Sequence, residues 1–247
     1  MDIKNYLDST YLKKPEQAGL NSTENTEKVK DFIQEAIEHQ FKLIMIRPDH
    51  VALAKEMIVK AHSKVTIGTV ISFPEGTNTL EEKLAEAQTA IDNGADDLDF
   101  VCNYKAFIDG DLETVKTEIL QGTALGLQHN KIVKWIIEVA ALNEKQIIQI
   151  CSLIKKIVIS NFKEELYQNV YVKSSTGFYV TENNLPNGAT IPAIIMMLEN
   201  ASPLSIKAAG GVRTYQEALE MIKLGVKRIG TSGALAIASG QDSDSNY

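Results

Sequence analysis

Short apolar runs rich in β-branched residues recur along the whole chain, and turn-forming residues bound each of them. Segments whose apolar residues have helical spacing lie between most of these runs, as in 26–40, 79–94 and 214–225. The alternation predicts strands in NYLDST (5–10), FKLIMI (41–46), VTIGTVIS (65–72), DDLDFVC (96–102), IVKWIIEV (132–139), NVYVKSS (169–175), LSIKAAG (204–210) and RIGTS (228–232).

Two of the predicted helices carry sequence signals at both ends. Thr79 and Thr214 are each followed three residues later by a glutamate, which is the capping-box pattern of a helix start. Gly94 and Gly225 stand where these helices are expected to end, because glycine readily adopts the left-handed conformation that closes a helix.

The order of the elements predicts the fold. Strands that alternate with helices pair in parallel through right-handed crossovers, and eight such units suggest a closed (β/α)₈ barrel, the α/β fold called a TIM barrel. We expect one barrel domain over residues 1–238 and a short, polar, flexible tail over 239–247. The alternative is an open, doubly wound sheet, but no GxGxxG segment follows an early strand to mark its dinucleotide crevice.

The composition is that of an ordinary globular protein, with 44% hydrophobic and 23% charged residues in a chain of 247. This balance argues against a disordered chain and against a small disulfide-stapled protein. The net charge of −7 gives no general attraction to nucleic acids or anionic membranes, and no apolar run approaches the length of a membrane span. An anionic ligand would therefore need a local site.

The cysteines and histidines point to no disulfide and to no metal. Cys102 and Cys151 lie far apart without a CxxC pattern, which predicts free, buried thiols in a reducing compartment, so we expect a cytoplasmic protein. The four histidines form no HExxH motif and no Cys/His cluster, so we expect no histidine-based metal site.

Three charged residues stand inside runs that should be buried: Asp99 in DDLDFVC, Lys173 in NVYVKSS and Lys207 in LSIKAAG. An unpaired charge there would cost several kcal/mol, so each needs a partner. Both lysines lie near the C-terminal ends of their strands, and in a barrel these ends converge on one mouth. We therefore expect the three groups to meet at that mouth.

Two lysines that share one aspartate suggest a particular chemistry. One ammonium disfavours a second charge beside it, so one lysine would be partly neutral and able to attack a carbonyl to form a Schiff base. The other lysine and Asp99 could then move protons. The alternative is a structural Lys–Asp pair. Lys134 and Glu138, also within a strand run, are interpreted as salt-bridging or supporting residues.

Glycine-rich segments close the last three predicted strands: SSTGF (174–178), AAGGVR (208–213) and GTSGAL (230–235). Glycine lets the backbone approach an anion, and a short helix that begins near Ser232 would direct its free N–H groups at a phosphate. Phosphate sites after the seventh and eighth strands recur in this barrel. The alternative is a set of tight turns. Arg213 either adds positive charge or is an exposed residue at a helix start.

Longer motifs extend the comparison to nearly the whole chain: LDSTYL (7–12), IRPDHV (46–51), VISFPEGTNTLEEKLAEAQTAIDNGADDLDFV (70–101), VKSSTGF (172–178) and IKAAGGVRTYQEALEMIKLGVKRIGTSGAL (206–235). In these motifs and in the spacing of its lysines the sequence resembles deoxyribose-phosphate aldolase, a family of class I aldolases. The resemblance implies a (β/α)₈ barrel that reversibly cleaves 2-deoxy-D-ribose 5-phosphate to D-glyceraldehyde 3-phosphate and acetaldehyde, in the breakdown of deoxyribose compounds. It further implies that the enzyme uses no metal or other cofactor, and it makes a homodimer plausible.

The resemblance also implies roles for individual residues. Lys173 looks like the Schiff-base lysine, Lys207 like the second lysine that lowers its proton affinity, and Asp99 like the proton-relay carboxylate. The residues implied to surround the substrate phosphate are Gly177, Gly210, Gly211, Gly230 and Ser232, and those implied to line the path of the sugar are Asp8, Thr10 and Thr176.

The chain departs from its relatives at a few positions. Ser9, within Asp8-Ser9-Thr10, stands in a motif where relatives often have a histidine, which we expect to matter little. Met45 stands where many relatives have cysteine, so sensitivity to reactive aldehydes at that position should be absent. Phe178 follows the STG motif where some relatives have lysine, which removes one expected contact near the phosphate or the hydroxyls.

The terminal Tyr247 resembles the tyrosine that ends the mobile tail of some members. It either enters the mouth and assists proton transfer or simply ends a disordered tail.

Two other functions remain open at this point. One is a different Schiff-base aldolase that acts on a ketose phosphate or a sugar acid. The other is a catalytically silent barrel that binds phosphosugars, although buried Lys173, Lys207 and Asp99 would serve no purpose in a mere binder. For the deoxyribose-phosphate aldolase, the expected partners are a small phosphorylated sugar and acetaldehyde, and neither a nucleic acid nor a membrane is expected.

Overall fold

The computed structural model of the protein describes residues 2–182 and 185–240. Within these residues, parallel strands pair in chain order, and the eighth strand pairs with the first to close a barrel. The strands are β1 (Leu7–Thr10), β2 (Leu43–Ile46), β3 (Thr66–Ile71), β4 (Asp97–Val101), β5 (Ile132–Ile136), β6 (Val170–Lys173), β7 (Ser205–Ala209) and β8 (Arg228–Thr231). The predicted TIM barrel is confirmed as a single domain, and the open sheet is excluded.

Helices follow the strands and surround the barrel. In chain order they are α1 (Pro15–Ala18), α2 (Ser22–His39), α3 (Val51–Lys60), α4 (Leu80–Asp92), α5 (Tyr104–Asp109), α6 (Leu112–Gln128), α7 (Glu144–Asn161), α8 (Ile191–Ala201), α9 (Tyr215–Leu224) and α10 (Ala234–Ala238). The predicted capping boxes start α4 at Thr79 and α9 at Thr214, and Gly225 caps the end of α9 with a φ of 117°.

The apolar core fills the layer between the strands and the helices. Phe100 on β4 stacks on Trp135 of β5 with ring centroids 5.0 Å apart. Helix α6 packs closely on these strands because Gly122 faces the Trp135 ring, where a Cβ atom would lie only 2.9 Å from ring carbons. The packing of α6 therefore depends on a residue without a side chain at that point.

The inside of the barrel differs from this apolar layer. Interiors of this fold are commonly filled by branched apolar side chains. Here β1, β4, β5, β6, β7 and β8 each contribute buried charged residues, which contact one another in the barrel. Such a core is stable only if its charges compensate each other, since an isolated buried charge is strongly unfavourable.

Helix α10 ends at Ala238, where the sequence predicts the end of the domain. Most of the predicted tail, including Tyr247, lies outside the described residues. Among the helices of the described residues, none combines the length and the apolar character that crossing a bilayer requires. Cys102 and Cys151 are free and buried, as the sequence predicts.

Candidate active site

The strand register brings the two predicted lysines side by side. Lys173 on β6 and Lys207 on β7 are register partners, and both side chains point into the barrel toward Asp99 of β4. The Oδ2 atom of Asp99 accepts hydrogen bonds from both amines, at 3.0 Å from Lys173 Nζ and 2.9 Å from Lys207 Nζ. All three side chains are buried. The three residues predicted to meet at the mouth are therefore in contact, and both lysines bind the same oxygen atom of Asp99.

Lys207 also forms an ion pair with a second carboxylate. Its Nζ atom lies 2.7 Å from Oδ2 of Asp8, which comes from β1 on the far side of β8. Burial alone would lower the pKa of Lys207, but Asp8 and Asp99 outweigh this effect and hold the pKa above its ordinary value. Lys207 is therefore protonated at neutral pH.

Among the described residues, Lys173 forms an ion pair with one carboxylate, through the Asp99 oxygen that it shares with Lys207. Burial lowers the pKa of Lys173 to about 8, and the Lys207 ammonium beside it acts in the same direction, while Asp99 opposes both. Desolvation is thus the largest cause, with the neighbouring cation as an additional one. A lysine with this pKa is a neutral nucleophile in a substantial fraction of molecules near neutral pH.

Asp99 stays ionised in this site. Burial would raise its pKa, but Lys134, Lys207 and Lys173 together hold the pKa well below its usual range. The Lys134 ammonium lies 2.8 Å from Oδ1 of Asp99 and 2.6 Å from Oδ2 of Asp97. The predicted salt-bridging role of Lys134 is therefore confirmed.

Glu138 has a different role from a salt bridge. It follows β5 with a left-handed backbone, is buried, and accepts hydrogen bonds from the Ser175 hydroxyl at 2.7 Å and from the backbone N–H of Thr176 at 3.1 Å. The Thr176 hydroxyl also donates to it. Burial raises the pKa of Glu138. Its carboxylate thus orders the loop that follows Lys173, which is the predicted supporting role without an ion pair.

Among the residues predicted near the phosphate, Gly210 and Gly211 lie in the loop after β7. Both have a positive φ, and they line a cavity of about 480 Å³ together with the exposed Arg213 and the Asn187–Thr190 segment. Gly188 packs so closely on the Gly210 backbone that a Cβ atom would lie 2.3 Å from the Gly210 carbonyl oxygen. These backbone groups border an open space beside one guanidinium group.

Gly177, Gly230 and Ser232 do not line this cavity. Gly177 is buried in the loop after β6, where its N–H donates to the Ser175 hydroxyl. Ser232 is half-buried in the turn between β8 and α10, beside Thr231, whose hydroxyl donates to the Val212 carbonyl of the β7 loop at 3.0 Å. The two glycine-rich loops are therefore tied together, with Ser232 at their junction.

Gly230 lies inside β8 rather than in a loop. A Cβ atom at this position would lie 3.1 Å from Cε of Lys207, so its glycine makes room for that lysine. The structure thus places Gly230 under the catalytic candidates, which differs from its predicted place around a phosphate.

The three residues predicted to line the sugar path are all buried. The Asp8 carboxylate is engaged by Lys207 and by Arg228, so it lies in the ionic network rather than along an open path. Thr10 donates its hydroxyl hydrogen to the Asp8 carbonyl at 2.8 Å, and Thr176 is held by Glu138 as described. Asp8 therefore acts on the site mainly through Lys207.

A separate cluster of apolar side chains surrounds Met45. Met45 and Leu43 of β2 pack with Leu12 and Val70, and Phe73 and Phe178 close the cluster from the loops. The Phe73 and Phe178 rings meet edge to face with centroids 5.1 Å apart. Phe178 thus extends an apolar surface together with Phe73.

Asp97 and Arg228 belong to the ionic network but are not among the predicted site residues. Asp97 stands two residues before Asp99, so period-two alternation along β4 places both on the same face of the strand. Arg228 begins the last strand, where its charge resembles an ordinary strand end in sequence. Alternation could have indicated Asp97, whereas Arg228 becomes recognisable only when β8 is placed beside β1.

Within residues 2–182 and 185–240, no group of three or more His, Cys, Asp or Glu side chains has an arrangement that could hold a metal ion.

Comparison with known proteins gives a consistent set of relatives. Residues 5–147 match the model of the family described as DeoC/LacD family aldolase. The chain is 36% identical over 241 residues to the deoxyribose-phosphate aldolase of Thermococcus gammatolerans, covering 97% of this chain and 96% of that protein. It is 34% identical over 248 residues to the deoxyribose-phosphate aldolase of Streptococcus suis, covering the whole of both chains.

Solved structures agree with these sequence relatives. The structure called QR15, an aldolase, superposes with a TM-score of 0.80 at 28% identity and covers 97% of this chain and 95% of its own. The deoxyribose phosphate aldolase of Aeropyrum pernix, described as a tetramer, superposes with a TM-score of 0.75 at 26% identity, covering 96% and 89% of the two chains.

Proposed function

The chain belongs to the DeoC/LacD family of aldolases, and we propose that it cleaves 2-deoxy-D-ribose 5-phosphate reversibly to D-glyceraldehyde 3-phosphate and acetaldehyde through a Schiff base on Lys173. One observation carries the mechanism: Lys173 and Lys207 share a single oxygen of Asp99, while Lys207 alone has a second carboxylate. This asymmetry gives the two lysines different protonation states and therefore different roles.

Lys173 is the nucleophile. Its neutral amine attacks the C1 aldehyde of the open-chain sugar, and loss of water leaves a protonated imine. The imine is an electron sink, so it can take up the electron pair of the neighbouring carbon–carbon bond. Since the amine supplies this function itself, the proposed reaction requires neither a metal nor an organic cofactor.

Cleavage of the bond between C2 and C3 follows. Asp99, directly or through a water molecule, accepts the proton of the C3 hydroxyl, and the C3 oxygen becomes the aldehyde oxygen of the departing glyceraldehyde 3-phosphate. The electron pair of the broken bond moves to C2 and forms an enamine on Lys173. Protonation at C2, with Lys207 as the nearest ammonium, and hydrolysis of the resulting imine release acetaldehyde and restore the amine.

We assign the phosphate of the substrate to the loops after β7 and β8. Gly210 and Gly211 border the cavity described above, Arg213 contributes a positive charge, and the junction of both loops lies at Ser232. A net charge of −7 makes such a local cationic and N–H-rich site necessary for an anionic substrate. Binding the phosphate far from the broken bond orients C1 toward Lys173.

A cytoplasmic location and a homodimer also belong to this proposal. Two free, buried thiols fit a reducing compartment, and a phosphorylated sugar is an intracellular metabolite. Light scattering that gives twice the chain mass of 27.2 kDa would support the dimer, and any other mass would contradict it.

Trapping with borohydride tests the proposed chemistry. Acetaldehyde and borohydride should together add one ethyl group to the protein, on the peptide that contains Lys173, and Lys173→Arg should abolish the adduct. Surface Lys223 is a matched control, since Lys223→Arg should leave adduct formation unchanged. An unmodified mass would contradict the Schiff base. A donor panel that shows turnover with dihydroxyacetone phosphate instead of acetaldehyde would reassign the substrate.

A further inference from the structure

The ionic network does not end at Lys207 and Asp99. Six of its side chains form a closed ring in which cations and anions alternate, which we call the charge ring: Arg228, Asp8, Lys207, Asp99, Lys134 and Asp97. Its successive contacts measure 2.7, 2.7, 2.9, 2.8, 2.6 and 3.4 Å, and the last of these returns from Asp97 Oδ2 to Arg228 Nη2. With three cations and three anions, the ring is neutral by itself.

Lys173 stands outside the charge ring and touches it only at Asp99. Protonated Lys173 would therefore be a buried cation for which the ring holds no matching anion, and neutral Lys173 leaves the charge ring balanced. Burial makes the protonated form of Lys173 unfavourable, because the low dielectric of the interior raises the energy of an uncompensated charge.

Resting on the proposed role of Lys173 as nucleophile, we propose that Arg228 and Asp97 are positioning residues which, from the N-terminal end of the barrel, set the proton affinity of Lys173 in opposite directions, with Arg228 favouring its neutral form. Arg228 completes the set of cations that balances the carboxylates. It also binds Oδ1 of Asp8, which leaves Oδ2 for Lys207. Asp97 has the opposite effect, since its negative charge favours cations throughout the ring.

The geometry of the last strands supports this coupling. Lys173, Lys207 and Arg228 are consecutive register partners across β6, β7 and β8, so three cationic side chains stand on neighbouring strands. The carboxylate of Asp99 reaches across the barrel from β4, and that of Asp8 comes from β1, which is paired with β8. Removing one member therefore changes both the total charge and the distribution of carboxylate oxygens among the lysines.

Among the described residues, the charged groups that interact electrostatically with Lys173 include Asp99 on β4, Lys134 on β5, Lys207 on β7 and Glu138 after β5. Glu138 is occupied by the hydroxyl groups of Ser175 and Thr176 and is not part of the ring. A change in the protonation of Lys173 after substitution of Arg228 or Asp97 would thus be transmitted through the ring.

The two positioning residues can be changed without opening a sealed core. Arg228 and Asp97 line a cavity of about 610 Å³ at the N-terminal end of the barrel, together with exposed Lys42 and Lys227. Water from this cavity can replace a shortened side chain at either position, which favours folding of the variants.

The test is the pH dependence of kcat/KM for deoxyribose phosphate cleavage. It compares the unchanged protein with Arg228→Gln, Asp97→Asn and the double variant. In Arg228→Gln the loss of a cation should move the acid limb to higher pH by about one unit, which lowers kcat/KM about tenfold below the midpoint. In Asp97→Asn the loss of an anion should move the same limb to lower pH. The double variant should return close to the midpoint of the unchanged protein, because both charges are removed together. The substrate phosphate titrates equally with all four proteins, so it does not contribute to differences between their midpoints.

Arg228→Lys is the matched control, since it retains the charge and should keep the midpoint within a few tenths of a pH unit even if activity falls. A purely structural role would lower kcat/KM by the same factor at every pH. Equal midpoints in the folded variants, or shifts of the same sign for Arg228→Gln and Asp97→Asn, would overturn the inference. If Arg228→Gln does not fold, Asp97→Asn with an unmoved midpoint suffices to reject it. Borohydride trapping of acetaldehyde on Lys173 is run on the same samples, so loss of the adduct in the unchanged protein would instead refute the proposed function.

Discussion

At the scale of single residues, the site depends on a difference between two chemically identical side chains. Lys207 lies between two carboxylates and keeps its proton, whereas Lys173 shares one oxygen with it and loses its proton more easily. In the proposed mechanism, the surrounding charges, rather than the amine itself, decide which lysine is the nucleophile and which is the acid. The same asymmetry makes the effect of replacing either lysine predictable.

Replacing Lys207 by leucine should reduce kcat/KM by about two to four orders of magnitude. Without the Lys207 ammonium, Asp99 is left to Lys173 and Lys134, so Lys173 remains protonated and the site also loses its acid. Steady-state cleavage assays measure the effect, and circular dichroism checks that the fold persists. Lys223→Leu on the exposed side of α9 serves as the control. Normal turnover of folded Lys207→Leu would remove Lys207 from the mechanism.

At the scale of elements, the proposed function assigns substrate binding to the loops after the strands and the reacting groups to the strands themselves. The β7 and β8 loops are joined by the hydrogen bond from Thr231 to Val212. The loop after β6 is held by Glu138 from β5. Each loop is therefore anchored by the element next to it, which keeps the mouth ordered around a rigid barrel.

Ser232→Glu should weaken the use of phosphorylated substrate far more than that of free deoxyribose. A carboxylate at the junction of the two loops would repel the substrate phosphate, while the imine chemistry at Lys173 would be unchanged. The ratio of the kcat/KM values for the two substrates measures the effect. Ser239→Glu, at the exposed end of α10, is the matched control. Equal losses for both substrates would place the phosphate elsewhere.

Helices α4 and α6 are joined by a second buried ion pair, between Lys83 and Glu118. Lys83 also donates to the Val101 carbonyl at the end of β4, and Glu118 accepts from the backbone N–H of Asn103 at 2.6 Å. Lys83→Met should lower the free energy of unfolding by about 3–5 kcal/mol, because it leaves Glu118 buried without its cation.

Chemical denaturation measures this loss. Lys116→Met removes an exposed ion pair with Glu113 on the same helix α6 and should cost less than about 1 kcal/mol. Equal losses in the free energy of unfolding for the two substitutions would show that the buried pair contributes no more to stability than the exposed pair.

At the scale of the whole molecule, the barrel closure brings together residues that are remote in the chain. Asp8 and Arg228 are 220 residues apart and meet because β1 pairs with β8. The sequence predicts Asp99, Lys173 and Lys207 because a charge within an apolar strand is conspicuous. It does not predict which carboxylate each cation takes, since this depends on strand tilt and register around the closed barrel.

The glycines illustrate the same limit. Gly210 and Gly211 lie where the motif indicates, in a loop beside a cavity. Gly230 has the same residue type in a similar motif, yet it lies inside β8 and makes room for Lys207. The sequence identifies a position that requires glycine, but only the packing around the position shows whether a ligand or a neighbouring side chain requires it.

The central claim is that the lowered pKa of Lys173 makes its neutral, nucleophilic form available near physiological pH. Reductive labelling of the protein with acetaldehyde and cyanoborohydride, followed peptide by peptide at a series of pH values, measures it directly after correction for the pH dependence of the reductant on a model amine. We predict that Lys173 is labelled first and that its rate reaches half its maximum near pH 8, in line with its lowered pKa. A midpoint near the ordinary lysine value of 10.5, or preferential labelling of Lys207, would contradict the account.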